Sequence, residues 1–278
     1  MKKLSKRALA MVLTLALFVG LFAAMATCVS AASYTYNSGK RGTVCTSLSS
    51  KAKSYYTGSY TYASLSAKSG SSLRTALRSL IKQKNSTVGY NGLRSYMKYS
   101  DAYQGSSSKL MLFYCSRSCT STWDSGKTWN REHTWPNSKG DANGNGENDI
   151  MMLRPTAKSE NGARGNKAYG ESGGYYNPNS ESGGKHNVHG DVARIMLYVY
   201  VRWGNTGSMW GSSGVIESKD VLLKWMAEDP VDTWELGRND SVQSITGTRN
   251  VFVDYPELAF ILFGETVPAN LQTPSKAA

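Results

Sequence analysis

A glutamate directly followed by a histidine lies within Trp129-Asn130-Arg131-Glu132-His133-Thr134-Trp135-Pro136. An amide side chain close to an arginine follows in Ser159-Glu160-Asn161-Gly162-Ala163-Arg164-Gly165-Asn166. These groups supply the parts of metal-assisted phosphodiester hydrolysis. That chemistry needs an activated water, neutralisation of charge on the phosphate, and help for the leaving oxygen. An imidazole titrates near neutral pH and can take the water's proton. A hard divalent cation on oxygen ligands can bind the phosphate and leaving oxygen together. The sequence has only three histidines, His133, His186 and His189, so there are few choices of base.

Adjacent residues on a strand point to opposite faces. Glu132 and His133 therefore serve one site only if the backbone bends there or a metal lies to one side. Glu132 also has an ordinary alternative as the ion-pair partner of Arg131, and Asn161 as the cap of a turn. Arg154 and Arg164 are the first choices for stabilising charge on a phosphate, with Arg131 third.

The elements that must position these groups read as follows. Ser71-Ser72 can cap a helix whose apolar stripe is Leu73, Ala76, Leu77, Leu80 and Ile81. A short second helix is expected over 91–99 and a strand over 109–114. Residues 123–154 read as two strands around an acidic, glycine-rich loop. A loop or short helix carries Asn161, kept short by Gly162 and Gly165. Residues 172–184 read as a loop. The segment 191–203 is apolar almost all round and is expected to be a central buried helix, with a strand as the alternative. A helix over 221–228 is stopped by Asp229-Pro230, and Pro256 opens a last helix through Phe263. There are no repeats and no dividing linker, so the fold class is α+β in a single domain.

The first 31 residues have a basic start, an apolar run and small residues before Ala31-Ala32. They read as a secretory signal, which places the mature protein outside the cell without a membrane anchor. The formal net charge of +12 falls to +8 without the leader's four basic and no acidic residues. That excess suits an acidic polymer as partner. Residues 32–57 read as an irregular lead-in, 58–264 as the folded domain and 265–278 as a tail. Cys45, Cys115 and Cys119 remain after the leader, and a Cys115–Cys119 disulfide is expected if that turn is helical.

Two further constellations stand out. Asp141, Asn143, Asn145, Gly146 and Asp149 match the first, third, fifth, sixth and ninth positions of a calcium loop. Met152 occupies the twelfth, where a bidentate glutamate is needed, so the reading is structural Ca²⁺ or a polar hairpin turn. His186 and His189 suit structural or phosphate-contact roles better than a metal site. Trp129, Trp135, Tyr175 and Tyr176 could stack on bases, with core packing as the alternative.

The ordered motifs Asn130 to Pro136, Asp149-x4-Arg154-Pro155-Thr156 and Asn161-x2-Arg164-Gly165-Asn166 resemble the endonuclease I family of secreted or periplasmic bacterial nucleases. Further matches are His189-Gly190-Asp191-Val192-Ala193-Arg194, Trp225 before Asp229-Pro230-Val231, Glu235 before Arg238-Asn239, and the run from Arg249 to Ala259. The resemblance covers roughly residues 58–264. It implies a ββα-metal active site that cuts DNA, often RNA as well, with little sequence preference. It also implies Glu132 and Asn161 as ligands to Mg²⁺, with Mn²⁺ or Ca²⁺ as alternatives, and His133 as the general base. Two departures are visible. Met151-Met152 stands where relatives often carry histidine, and Val251 stands where proline is usual. The expected enzyme is a monomeric, secreted, Mg²⁺-dependent endonuclease acting on DNA and possibly RNA. The alternative is a catalytically impaired protein that binds nucleic acid or wall polymer on the same fold.

Overall fold

The computed structural model describes residues 34–83, 88–140, 146–178, 188–204 and 209–277. The leader, Asp141, Asn143, Asn145 and His186 lie outside the described residues. Residues 35–278 group as one compact unit.

The segment read as an irregular lead-in is built into the fold. It carries helix α1, Ser50–Tyr55, whose N-cap Ser49 accepts from the Ala52 N–H. Asn37 donates its amide to the carbonyls of Ser100, at 3.1 Å, and Trp234, at 2.9 Å. Low hydrophobicity along this stretch concealed a segment fastened by polar contacts to residues far away in sequence. Helix α2, Tyr62–Ser66, leads into α3, Gly70–Gln83, which starts ahead of Ser71-Ser72, so the expected cap lies inside the first turn. Leu73, Leu77, Leu80 and Ile81 are fully buried along its apolar stripe, while Ala76 sits at the margin. Helix α4, Tyr90–Ser100, follows.

The expected strand at 109–114 is shorter, β1, Lys109–Met111, because the chain turns back into β2, Ser118–Thr120. That turn removes the helical geometry on which the disulfide reading rested. Cys115 and Cys119 are free thiols, as is Cys45. Cys119 lies opposite Leu110 in the ladder, and Arg117 donates from Nε to the Cys115 sulfur at 3.3 Å.

The two strands expected around the glycine-rich loop are β3, Trp129–His133, and β4, Leu153–Ala157. They are antiparallel, with Glu132 opposite Arg154 and His133 opposite Leu153. Helix α5, Lys158–Arg164, leaves β4 without an intervening loop and completes a ββα unit. It ends where Gly165 adopts φ 54°, a left-handed conformation that suits glycine.

Helix α6, His189–Arg202, packs against α3, and here the expected helix formed and the strand alternative did not. Every residue except Tyr200 is buried, as its all-round apolar character requires. Its first turn presses on the chain at Asp229, where a Cβ on Gly190 would lie 2.1 Å from the carbonyl oxygen. Helix α7, Lys219–Glu228, is capped by Ser218 and ends at Asp229. Helix α8, Thr233–Thr246, was not evident from periodicity. Its Glu235, Arg238, Asn239 and Ser241 are buried through partners, so no clean polar face exists. Short α9, Val251–Asp254, and the expected α10, Glu257–Phe263, close the bundle. The observed class is α+β. No helix among the described residues is long and apolar enough to cross a membrane.

Candidate active site

Arg131, Glu132 and His133 line one cleft of about 130 Å³ with Asn137, Asn161, Arg164 and Asn166. A larger cavity of about 320 Å³, between residues 44–46 and 269–273, has no acidic or basic side chain in its lining. Another cavity of about 160 Å³ is lined by Lys51 and Asp240 but holds no histidine, so among these cavities the cleft alone brings an imidazole to a carboxylate.

The two neighbours on β3 differ as strand alternation requires. Glu132 is 2% exposed, while His133 is half-buried. They nonetheless border the same cleft, because α5 folds back across the end of the hairpin. Arg164, at the last turn of α5, makes that closure. It donates from Nη1 to the His133 carbonyl at 3.0 Å and from Nη2 to the Thr134 carbonyl at 2.7 Å. Its Nη1 also lies 3.2 Å from Glu132 Oε1. The same oxygen accepts from the Tyr114 hydroxyl at 2.6 Å. Burial raises the Glu132 carboxyl above its ordinary range, opposed by the Arg164 charge and the Tyr114 hydrogen bond.

His133 Nε2 lies 3.3 Å from the Glu147 carbonyl oxygen. A carbonyl only accepts, so Nε2 carries the proton, and Nδ1, which has no hydrogen bond among the described residues, keeps its lone pair open. Burial pushes the imidazole below its ordinary value, outweighing the hydrogen bond and charge at Glu147 that act upward. The ring is therefore neutral near pH 7 and can accept a proton.

Both partners of the Glu132 carboxylate sit on Oε1, and Oε2 has no hydrogen bond among the described residues. Asn161, half-buried on α5, uses its main-chain oxygen to accept from the Gly165 N–H at 2.9 Å. Its side-chain amide likewise makes no hydrogen bond among the described residues. Two open oxygens bordering one cleft fit a hard divalent cation, with water completing its shell. No group of three or more His, Cys, Asp or Glu side chains suited to a metal occurs among the described residues.

The three arginines fall into different places. Arg164 is in the cleft wall, but it is 1% exposed and engaged with the strand end. Arg154 does not line the cleft. It is 2% exposed, 3.4 Å from Asp101, with the rings of Phe113 and Trp234 about it. Arg131 is half-buried in the lining. Its guanidinium lies 3.5 Å over the Tyr90 ring, and Nη1 donates to the Tyr90 carbonyl at 2.6 Å. The Tyr90 ring is nearly parallel to His133, with centroids 5.9 Å apart. Tyr90, Tyr114 and Tyr169 were missed by sequence reasoning, since no local spacing links them to Glu132 or His133.

Other expected site residues lie elsewhere. Asp149 accepts on one oxygen from the Met151 N–H at 2.9 Å. On the other it accepts from Tyr198 at 2.8 Å and Trp203 at 3.1 Å. The carboxylate expected at a calcium loop's ninth position is thus a core anchor. Met151 and Met152 are buried and absent from the cleft lining. Trp129, Trp135 and Tyr176 are also core residues, and Tyr175 is outside the cleft, so none of the expected stacking aromatics borders it. His189 donates from Nε2 to Asn177 Oδ1 at 2.9 Å and stacks on Trp225 with centroids 4.0 Å apart. Burial there pushes it down to about 4.

Residues 69–257 match the family described as Endonuclease I. The chain is 33% identical over 224 residues to a protein named extracellular ribonuclease from Bacillus amyloliquefaciens. The match covers 71% of this chain and 76% of that protein. An extracellular ribonuclease from Bacillus subtilis (strain 168) is 31% identical over the same length, with the same two shares covered.

Proposed function

The chain belongs to the Endonuclease I family, and from that premise we propose that it is a secreted, divalent-metal-dependent endonuclease cutting DNA and RNA with little sequence preference. The observation that carries this reading is a neutral histidine with an open Nδ1, beside a carboxylate and an amide that each keep an open oxygen. The names of the two Bacillus relatives support including RNA among the substrates and support secretion.

Glu132 Oε2 and Asn161 Oδ1 would hold Mg²⁺, or Mn²⁺ or Ca²⁺ in its place. Such an ion supplies charge stabilisation to the phosphate and departing oxygen. His133 Nδ1 takes a proton from water while the hydrogen bond to Glu147 fixes the ring. The water oxygen attacks phosphorus in line, the bond to the 3′ oxygen breaks, and that oxygen takes a proton from solvent, so the products carry a 5′-phosphate and a 3′-hydroxyl. Arg131, half-buried in the cleft lining, pairs with phosphate oxygens. Arg164 keeps β3 and α5 together so that ligand and base stay in register.

The test is incubation of the purified protein with supercoiled plasmid, and separately with RNA, in Mg²⁺ or in excess EDTA. Nicking that requires the metal is the expected result. Strong cleavage in excess EDTA overturns the mechanism, and retention of DNA without cleavage overturns the enzymatic reading.

A further inference from the structure

Glu132 is anchored by a pair of phenols that come from distant parts of the chain. Tyr114 sits in the turn between β1 and β2, fully buried, with its hydroxyl 2.6 Å from Glu132 Oε1. The hydroxyl of Tyr169, also fully buried, lies 2.6 Å from that of Tyr114. An ionised carboxylate only accepts, so the Tyr114 proton is directed at Glu132. The Tyr114 oxygen is then the acceptor for the proton of Tyr169. The chain has one direction, Tyr169 to Tyr114 to Glu132.

Each phenol is held by backbone rather than by flexible loop contacts. The Phe113 N–H donates to the Pro155 carbonyl at 2.8 Å, which ties the Tyr114 turn to β4. The Tyr169 N–H donates to the Val215 carbonyl at 2.8 Å, and the Arg164 guanidinium lies 4.7 Å over its ring. Tyr114 and Arg164 both approach Oε1, so the carboxylate is fixed through one oxygen. Hydrogen bonds of this kind orient a ligating group and set its affinity.

We propose that Tyr114, backed by Tyr169, is a positioning residue that locks Glu132 through Oε1 and presents Oε2 to the cleft as a single-oxygen metal ligand. The proposal rests on the metal-site reading above, and its test separates the two. Mn²⁺ binding to the full chain is measured by calorimetry for wild type, Tyr114→Phe, Tyr169→Phe and Glu132→Gln. Activity is then followed against Mg²⁺ concentration.

Wild type is expected to bind Mn²⁺ and Glu132→Gln to lose binding. Tyr114→Phe keeps the ring and removes the donor, so its Kd should rise roughly 10- to 100-fold. The Mg²⁺ concentration for half-maximal rate should rise in step, with kcat recovered at saturating metal. A phenol that merely fills space would leave that split unchanged. Tyr169→Phe should shift Kd in the same direction by less, and it carries the test if Tyr114→Phe does not fold. Unchanged Mn²⁺ affinity in a folded Tyr114→Phe overturns the positioning role, as does unchanged affinity in Tyr169→Phe when that variant stands alone. Wild type that cleaves without binding Mn²⁺ overturns the metal reading itself.

Discussion

Two clusters of arginines and acids adjoin the β3–β4 hairpin, and they differ in what remains open. In the first, Arg238 donates to Asp101 at 2.8 Å and to the carbonyls of Ile150, at 2.7 Å, and Leu153, at 2.9 Å. Arg194 meets Glu235 at 2.7 Å and Arg41 meets Asp191 at 2.6 Å. These ion pairs are buried: those on Asp101 fasten helices to β4, and the others join α6 to α8 and to the segment that carries Arg41. In the cleft, Arg164 and Tyr114 engage one oxygen of Glu132, while the other oxygen, the Asn161 amide and His133 Nδ1 are left open. Density of charge therefore does not mark a site. Geometry that leaves selected lone pairs open does.

This contrast can be broken by exchanging one residue in each region. His133→Ala should lower kcat by roughly 10²- to 10⁴-fold, the usual contribution of a general base. Its denaturation midpoint should stay near that of wild type, so parallel rate and urea measurements decide the point. Asp101→Asn should do the reverse. It leaves Arg238 and Arg154 without their shared carboxylate and should cost about 3–5 kcal/mol of stability, read from urea unfolding. The kcat of the folded fraction should change only a few-fold.

Arg131→Gln sharpens the distinction among the arginines. Losing a charged contact to phosphate should raise KM about tenfold on any sequence and flatten the salt dependence of binding. An unchanged KM would return the phosphate role to another residue. Smaller effects should appear with pH. Burial lowers His133, so the acidic limb of kcat/KM should fall below the ordinary histidine value of 6.5. His189, on the structural side, is displaced from 6.5 to about 4. Its folded form binds fewer protons than its unfolded form within that window. Its contribution to stability is therefore complete above 6.5 and declines as pH falls toward 4. Thermal melts of wild type and His189→Gln across that range should diverge at the acidic end.

Much of this arrangement was legible in the sequence, for reasons that can be named. Helix α3 announced itself because Leu73, Leu77 and Leu80 fall on one face and are buried there. The α6 segment was apolar enough to require burial on all sides. The motif around Glu132, His133 and Asn161 indicated the cleft because adjacent residues in sequence also meet in space. Helix α8 escaped periodicity because its buried polar residues are satisfied by distant partners, although Asp232 and Gly247 cap it. The ranking of Arg154 above Arg131 failed to anticipate burial, since type and spacing cannot say which guanidinium stays half-exposed. Tyr114 and Tyr169 were invisible for a related reason. Their contact with Glu132 is made by topology, across 18 residues in one case and through another phenol in the other.

The neighbouring placement of Glu132 and His133 on one strand also restricts how chain length can vary in relatives. Because side chains alternate, inserting or deleting one residue between Trp129 and Glu132 would turn the carboxylate outward and the imidazole inward. Both would be lost to the cleft in a single step, although no functional side chain had been altered. Variation within β3 must therefore arise by substitution, while changes in length are confined to the loops beyond its ends. A relative whose spacing differs inside this strand should have abandoned the reaction, however many of the other motifs it retains.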